Sequence, residues 1–198
     1  MPKGFDEVDE AQLDKASYLL PDDVSEKLKS WWTYKPATTP NWDIASTCRI
    51  EGKNGLLLVE AKAHDQELIS EKVGKNIEAE ATETQRLNHA RIGDAIEEAN
   101  IGLNHIMAGW KLSRDSNYQM SNRFAWAWKL TELGIPVILV YLGFTHAVDM
   151  CDRGNPFIDD TDWQQLVRSY SEAFVPPHIW NSKWIVSDQP FIPLIRTL

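Results

Sequence analysis

The stretch GLLLVEAKAH, residues 55–64, most constrains what this chain can fold into. It opens with a glycine and four aliphatic residues and then places Glu60, Lys62 and His64 at alternate positions. Side chains two residues apart on a β-strand share a face. The pattern therefore predicts a strand that starts in the core and carries a row of ionisable groups at its end.

A second strand-like run, NWDIASTCRI at residues 41–50, precedes this strand. The connecting segment is rich in glycine and asparagine, which supply the positive φ angles that a tight hairpin turn requires. A turn at Asn54 and Gly55 would leave the side chains on the same faces, but we predict an antiparallel hairpin over residues 41–64 that turns at Lys53 and Asn54.

That hairpin register has a consequence for Asp43, because it places this residue opposite His64. Asp43 then shares a face with Glu60 and Lys62, but it lies about 13 Å from Glu60 along the strand direction. A bulge or a strong twist near residues 43–48 would have to bring the two carboxylates together, and bulges do occur beside active sites.

Three other segments carry regular patterns. Helix-start residues followed by apolar residues at helical spacing predict helices near 22–32 and 118–133. A short, nearly apolar run near 136–143 is typical of a strand buried on both faces. A helix that leads into such a strand indicates a right-handed crossover into a sheet.

The remaining segments are less regular. Residues 1–20 are acidic and are expected to form a docked or mobile arm. Residues 66–109 are polar and alanine-rich, and we predict helical pieces at 71–80 and 83–107, which the glycines of this segment interrupt or cap. Residues 146–198 are expected to form a C-terminal extension with one helix and a peripheral strand or extended segment.

The composition places the chain among ordinary folded proteins. Its 198 residues suit a single domain, 1–198, with 43% hydrophobic and 25% charged residues. No apolar run approaches the roughly 18–20 residues of a membrane span, so we expect no membrane partner and a cytoplasmic location. Cys48 and Cys151 are far apart and outside any CxxC pair, which predicts free thiols.

The net charge of −9 argues against binding nucleic acid by bulk electrostatic attraction, because that mode depends on Lys and Arg replacing condensed counterions. Local basic residues and metal ions would have to neutralise a nucleic-acid substrate. The nine tryptophans are interpreted as core or subunit-contact residues rather than base-stacking platforms, and a homodimer is compatible with their number.

An acidic residue at the start of one strand and a Glu-x-Lys at the end of the next resemble the PD-(D/E)xK nuclease superfamily. The matching residues are Asp43, Glu60 and Lys62. The predicted order of helix, hairpin, helix and strand is similar to the family core, over about residues 22–145. The resemblance implies an α/β, restriction-endonuclease-like fold, in which helices flank a mixed central sheet, here with the helical insertion at 66–109.

The chain departs from the family pattern at three points. Pro40 is separated from Asp43 by two residues, no separate first strand before Asp43 is identified, and the family core does not require the helical insertion. A second Glu-x-Lys, Glu51 to Lys53, falls in the predicted turn without a strand before it. The tripeptide alone is therefore a weak signal, and its context carries the resemblance.

The resemblance implies a metal-dependent endonuclease or exonuclease that hydrolyses phosphodiester bonds, with DNA favoured over RNA as the partner. Asp43 and Glu60 would bind Mg²⁺ or Mn²⁺, with the backbone carbonyl of Ala61 as a third ligand. Lys62 would position or activate the attacking water, or stabilise the transition state. Such a cation makes hydroxide accessible near neutral pH and bears developing charge.

Five further residues are accessory candidates. Glu26 would add a helical metal ligand, against the alternative of an exposed helix charge. His64 would contact a phosphate, against a surface role. Tyr118, Gln119 and Arg123 belong to a polar helix stripe that would face the catalytic row, against structural pairing or contact with solvent.

Two other functions stay open from the sequence. The acidic and basic row can be a structural or inactive feature of a binding or regulatory protein that keeps the nuclease fold. It can also serve hydrolysis of a different phosphoester. The chain has no Gly-rich phosphate loop or Gly-x-Ser-x-Gly motif that would indicate ATP or acyl chemistry.

Overall fold

A computed structural model describes residues 11–13, 18–34 and 39–198. Over these ranges the chain forms five α-helices and seven β-strands. The helices are α1 (Asp22–Trp32), α2 (Asp65–Ile69), α3 (Glu83–Ile106), α4 (Tyr118–Glu132) and α5 (Asp160–Ser171). The strands are β1 (Ala11–Gln12), β2 (Asn41–Trp42), β3 (Ile44–Ile50), β4 (Lys53–Lys62), β5 (Val137–Gly143), β6 (Trp184–Val186) and β7 (Gln189–Thr197).

Five strands form one mixed sheet in the order β3, β4, β5, β7, β6. The hairpin partners β3 and β4 are antiparallel, whereas β4, β5 and β7 run parallel. The prediction of a mixed α/β architecture with a central sheet is confirmed, and so are the hairpin and the following helix. The strand predicted near 136–143 is present as β5, but only one of its faces is fully buried, since Ile138 and Leu142 on the other face are half-buried. Strands β1 and β2 form a separate two-stranded sheet.

The N-terminal arm lies partly outside the described residues, at 1–10 and 14–17. Of the described part, Leu13, Leu19 and Leu20 are buried in the hydrophobic core. These positions of the arm are therefore docked rather than mobile.

The C-terminal segment contributes more than the predicted peripheral strand, because β7 lies between β5 and β6. Pro193 is an unusual residue for an interior strand, since proline cannot donate to a ladder. The backbone of this position points away from β5: Asn181 donates its amide to the Pro193 carbonyl, and the Ile195 amide donates to the Asn181 side chain. The missing N–H of Pro193 therefore costs the parallel ladder nothing.

The hairpin turns at Glu51 and Gly52, and the predicted turn at 53–54 is wrong. Both central residues have positive φ, 51° and 82°, as a type I′ turn requires. The nearby Gly55 lies inside β4, where an added Cβ would come within 2.6 Å of the Pro136 carbonyl oxygen. This glycine permits a close approach of chains and not a turn.

The insertion is less fragmented than predicted, because α3 is one continuous helix whose glycines neither interrupt nor cap it. Gly102 faces α4 directly, and a Cβ added there would come within 2.3 Å of Trp128 Cζ2. Absence of a side chain lets the two helices pack closely. The predicted helix at 71–80 is wrong, since only a 3₁₀ turn, Ser70–Lys72, occurs near its start.

Replacing Gly102 with alanine is expected to destabilise the protein by about 1–3 kcal/mol, because the added methyl group overpacks against a buried ring. Gly93→Ala is the matched control in the same helix. Its Cβ would meet only the end of the Arg114 side chain, 2.8 Å away, which can move, so helix propensity makes this change neutral or favourable. Urea unfolding of both variants measures the difference, and equal stabilities would contradict the close α3–α4 contact.

Helices α4 and α5 cover the same face of the sheet. The ring of Phe124 in α4 stacks against Tyr141 of β5, with centroids 6.5 Å apart. Trp163 of α5 packs so closely on Gly143 of the same strand that a Cβ there would lie 2.7 Å from the indole. Tyr141 and Gly143 are two residues apart and so share a face.

The polar row of β4 lies on this covered face. Glu60 pairs with Tyr141 in the parallel ladder, and Lys62 lies two residues further along the strand. The opposite face of β5 carries Ile138 and Leu142, which are only partly buried. The sheet thus places the acidic and basic row between itself and α4.

The interpretation of the tryptophans as packing residues is confirmed. Eight are buried and the ninth is half-buried. The buried ones are Trp31, Trp32, Trp42, Trp110, Trp126, Trp128, Trp163 and Trp180. Both cysteines are free thiols. Within the described part of the chain, no helix combines the length and apolarity that crossing a membrane requires.

Candidate active site

Glu60 is the centre of a buried polar cluster at the end of β4. It is 2% exposed, and its Oε1 accepts a hydrogen bond from Lys62 Nζ at 2.6 Å. Gln119 Nε2 also donates to Oε1, and Arg123 Nε donates to Oε2 at 2.6 Å. The predicted polar stripe of α4 therefore does face the row on β4, through two of its members.

Asp43 lies one residue before β3, immediately beyond the last paired position, where Ile44 is opposite Val59. The observed register thus continues to Glu60, and not to His64 as predicted. The predicted separation of about 13 Å and the bulge it required are both wrong, because the earlier turn shifts the pairing.

The Asp43 carboxylate contacts the strand beside Glu60. Its Oδ2 accepts a hydrogen bond from the Ala61 amide at 2.6 Å, while the Asp43 residue itself is exposed. Amide and carbonyl of one strand residue point to the same neighbouring strand. The carbonyl of Ala61 is therefore directed towards the side on which Asp43 lies.

Glu71 is a member of the cluster that the sequence did not reveal. It lies in the 3₁₀ turn after α2, is 4% exposed, and places Oε1 at 2.7 Å from Lys62 Nζ. Its Oε2 has no hydrogen-bond partner among the described residues. Lys62 is therefore held between two buried carboxylates.

The charges of the cluster shift the pKa values of its members. Burial alone would raise the pKa of Glu60, but Arg123 and Lys62 outweigh it and hold that pKa below its ordinary value. Burial would lower the pKa of Lys62, but the carboxylates of Glu60 and Glu71 raise it above its ordinary value. At neutral pH Glu60 is therefore a carboxylate and Lys62 an ammonium.

Glu71 behaves differently from Glu60, because it has fewer compensating partners. Burial raises its pKa to about 7, and the neighbouring Lys62 ammonium only partly opposes this effect. Near neutral pH the cluster can therefore gain or lose one proton at Glu71 while Lys62 stays charged.

Arg123 is fixed by more than its pairing with Glu60. It is 6% exposed, its Nη1 donates to Asn122 Oδ1 at 3.1 Å, and its guanidinium carbon lies 4.7 Å from the centroid of the Trp42 ring. Burial would lower the pKa of Arg123, but the Glu60 carboxylate raises it. The cation thus orients the central carboxylate from a packed position.

The donor set suits a hard divalent cation. Asp43 and Glu60 offer carboxylate oxygens at neighbouring positions, and Ala61 offers a carbonyl, which are ligand types that Mg²⁺ accepts. Among the described residues, no group of three or more His, Cys, Asp and Glu side chains is arranged to hold a metal ion. A metal here would depend on two carboxylates and a backbone oxygen.

The other three predicted accessory residues, which all lie within the described ranges, form no hydrogen bond with the Glu60 carboxylate. Tyr118 is half-buried beside a cleft, and burial raises its pKa to about 12. His64 is 6% exposed, and its ring packs against Gly154, where a Cβ would lie 2.5 Å from Nδ1. Glu26 is exposed on α1.

A cleft of about 300 Å³ lies beside the cluster on the α4 side. Gln119 and Arg123, which both donate to Glu60, form part of its wall. Lys75 and Tyr118 lie on the same wall, and Asn41 is close to Asp43 in the chain. The cleft therefore gives a ligand access to the neighbourhood of the buried carboxylate.

Comparison of the chain with models of protein families, with curated proteins and with solved structures found no match in any of the three.

Proposed function

We propose that this protein is a metal-dependent nuclease that hydrolyses phosphodiester bonds, with DNA favoured as its substrate. One observation carries the proposal: the Asp43 carboxylate contacts Ala61, next to Glu60, while the Lys62 ammonium contacts Glu60 itself. Two acids and a lysine converge in this way on the end of one hairpin, as the resemblance to the PD-(D/E)xK superfamily implies. The sheet order, with an antiparallel hairpin beside a parallel crossover strand, supports the restriction-endonuclease-like form of the fold.

In the proposed reaction, Asp43, Glu60 and the Ala61 carbonyl would hold Mg²⁺ or Mn²⁺. A bound ion would supply stabilisation of developing negative charge and hydroxide near neutral pH. Arg123 and Gln119 orient the Glu60 carboxylate, so its oxygens cannot rotate freely. The exposed side of the site is that of Asp43, which is where the substrate would enter.

Lys62 acts as a charge and not as a base in this proposal. Two carboxylates hold its pKa above the ordinary value, so it does not accept a proton from water at neutral pH. Its ammonium can instead donate hydrogen bonds to a phosphate oxygen, where negative charge develops in the transition state.

The test is cleavage of supercoiled plasmid, linear duplex and single-stranded DNA in the presence of Mn²⁺. Asp43→Asn is expected to slow cleavage by at least about a hundredfold, because a metal contributes several kcal/mol to such reactions. Asp43 is exposed, so the variant should fold. Asp152→Asn, an exposed carboxylate elsewhere, is the matched control and should cleave like the wild type.

Lys62→Met is the second variant, and it should remove Mn²⁺-dependent cleavage while Mn²⁺ still raises the melting temperature. Cleavage that is as fast with Asp43→Asn as with the wild type would contradict the proposed metal ligand. Unchanged cleavage by Lys62→Met would contradict the role of the ammonium.

A second candidate function is a binding or regulatory protein with an inactive site. It is favoured by the three donors on the Glu60 carboxylate, which satisfy most of its hydrogen-bonding capacity within the protein. The same experiment separates the two functions. DNA that is bound but not cut, together with a melting temperature that does not respond to Mn²⁺, would favour the binding protein.

A further inference from the structure

Lys75 stands out among the basic residues near the site because no carboxylate of the described part of the chain pairs with its charge. It is half-buried, and its Nζ lies 5.1 Å from the centroid of the Tyr118 ring. No ion pair joins it to an acidic side chain within the described ranges. Burial lowers the pKa of Lys75, which marks an ammonium that has lost water without gaining a counter-charge.

The position of Lys75 is fixed by its backbone. The segment 72–75 is joined to the loop before α4 by three amide hydrogen bonds: Lys75 to the Arg114 carbonyl, Asn117 to Lys72, and Tyr118 to Val73. Gly74 lies against the Asp115 backbone, where a Cβ would come within 2.3 Å of the carbonyl oxygen. The Lys75 side chain therefore extends from a backbone segment that is held in place by hydrogen bonds, and not from a long surface loop.

None of the described residues that line the cleft around Lys75 is acidic. Its lining consists of aromatic, aliphatic, hydroxyl, amide and basic side chains, and the basic ones are Lys75 and Arg123. In a chain with 29 Asp and Glu against 20 Lys and Arg, this cleft is a local exception, because Arg123 is compensated by Glu60 behind it and the charge of Lys75 is left over among the described residues. Such a cleft concentrates anions despite the net charge of the protein.

Amide side chains add directional contacts to this field. Asn41 and Asn122 both reach the cleft and can donate to phosphate oxygens or pair with base edges. Its volume, about 300 Å³, is at the lower end of ligand pockets, which suits a small polar group. Arg123 also contacts Glu60, so an anion bound here lies one side chain from the proposed catalytic carboxylate.

We propose that this cleft, with Lys75 as its free cation, binds a phosphate of the nucleic-acid strand beside the bond that is hydrolysed. The inference rests on the proposed nuclease function for the identity of the strand. It adds a binding residue outside the Asp43, Glu60 and Lys62 set. It also explains how an acidic protein can bind a polyanion, since the positive charge is placed locally.

The test measures binding of fluorescein-labelled 20-nucleotide single strands and duplexes by anisotropy, in EDTA, at several NaCl concentrations. Lys75→Ala is expected to weaken binding about 5–10-fold and to reduce the slope of log K against log salt by about 0.7–0.9, the contribution of one phosphate contact. Lys75→Arg should retain most of the affinity. Lys111→Ala removes an exposed charge outside the cleft and should bind like the wild type.

The outcomes separate this inference from the proposed function. If Asp43→Asn abolishes cleavage but Lys75→Ala binds with the wild-type affinity and salt slope, phosphate binding by the cleft is contradicted and the proposed nuclease function is retained. If no DNA is cut but Lys75→Ala still weakens binding and reduces the salt slope, phosphate binding by the cleft is supported and the proposed hydrolysis is contradicted. Thymidine monophosphate that binds as tightly as the 20-nucleotide strand would overturn the inference, since the cleft would then serve a free nucleotide.

Discussion

Replacement of Arg123 by methionine is expected to lower the free energy of unfolding by about 3–5 kcal/mol, the cost of breaking a buried ion pair from one side. Methionine retains most of the volume but removes the hydrogen bond to Glu60, whose carboxylate stays 2% exposed. It also removes the cation from the face of the Trp42 ring. Urea unfolding at pH 7, extrapolated to water, measures the loss.

A double-mutant cycle assigns this loss to the pair. In Glu60→Gln combined with Arg123→Met, the buried negative charge is absent, so the double variant should be at least about 1 kcal/mol more stable than the two single losses predict. Arg153→Met, at an exposed arginine, serves as the control and should change stability by no more than about 0.5 kcal/mol. Additive losses in the cycle would show that Arg123 stabilises the fold by packing alone.

The sequence predicted the faces of the strands better than the pairing between them. Alternation alone places Glu60 and Lys62 on one side of β4. The predicted and the observed register of the hairpin both assign position 43 to that same side, because the two registers differ by an even number of residues. The turn itself was not decidable, since Gly52, Asn54 and Gly55 all tolerate positive φ. Only the contact of Gly55 with Pro136, a residue far along the chain, shows why that glycine belongs to the strand.

Some residues of the candidate site could be predicted from the sequence and others could not. Gln119 and Arg123 were accessible to prediction because they lie one helical turn apart on a regular helix that follows the hairpin. Glu71 and Lys75 lie in the segment 71–80, whose polar composition led to the wrong prediction of a helix, and nothing local distinguishes the two residues from surface charges. Their roles arise from contacts with β4 and with the loop before α4, which are long-range.

Glu71→Gln is expected to change the pH dependence of stability in a window set by Glu71 itself. Burial raises the pKa of this carboxyl from the ordinary 4.5 to about 7 in the folded protein. Between these values the unfolded chain has released the proton and the folded protein still holds it, so the wild type loses stability as pH rises. A shift of this size corresponds to roughly 3 kcal/mol, lost between about pH 4.5 and 7.

Glutamine has the shape of the protonated acid and no proton to lose, so the variant should lack this decline. The difference in unfolding free energy between Glu71→Gln and the wild type should therefore move by about 2.5 kcal/mol in favour of the variant from pH 5 to pH 8. The surrounding phenols of Tyr141 and Tyr170 do not titrate here, because burial raises the pKa of each.

Glu97→Gln is the control for this pH experiment, since it removes an exposed carboxylate from α3 and its stability should follow the wild type at every pH. Groups outside the cluster titrate equally in the variant and the wild type, so they cancel in the difference, while Glu60 and Lys62 stay charged in this pH range. Parallel stability curves for Glu71→Gln and the wild type would mean that Glu71 is ionised throughout the range. The Lys62 ammonium would then be paired with two full charges, and the proton uptake inferred for the cluster would not occur.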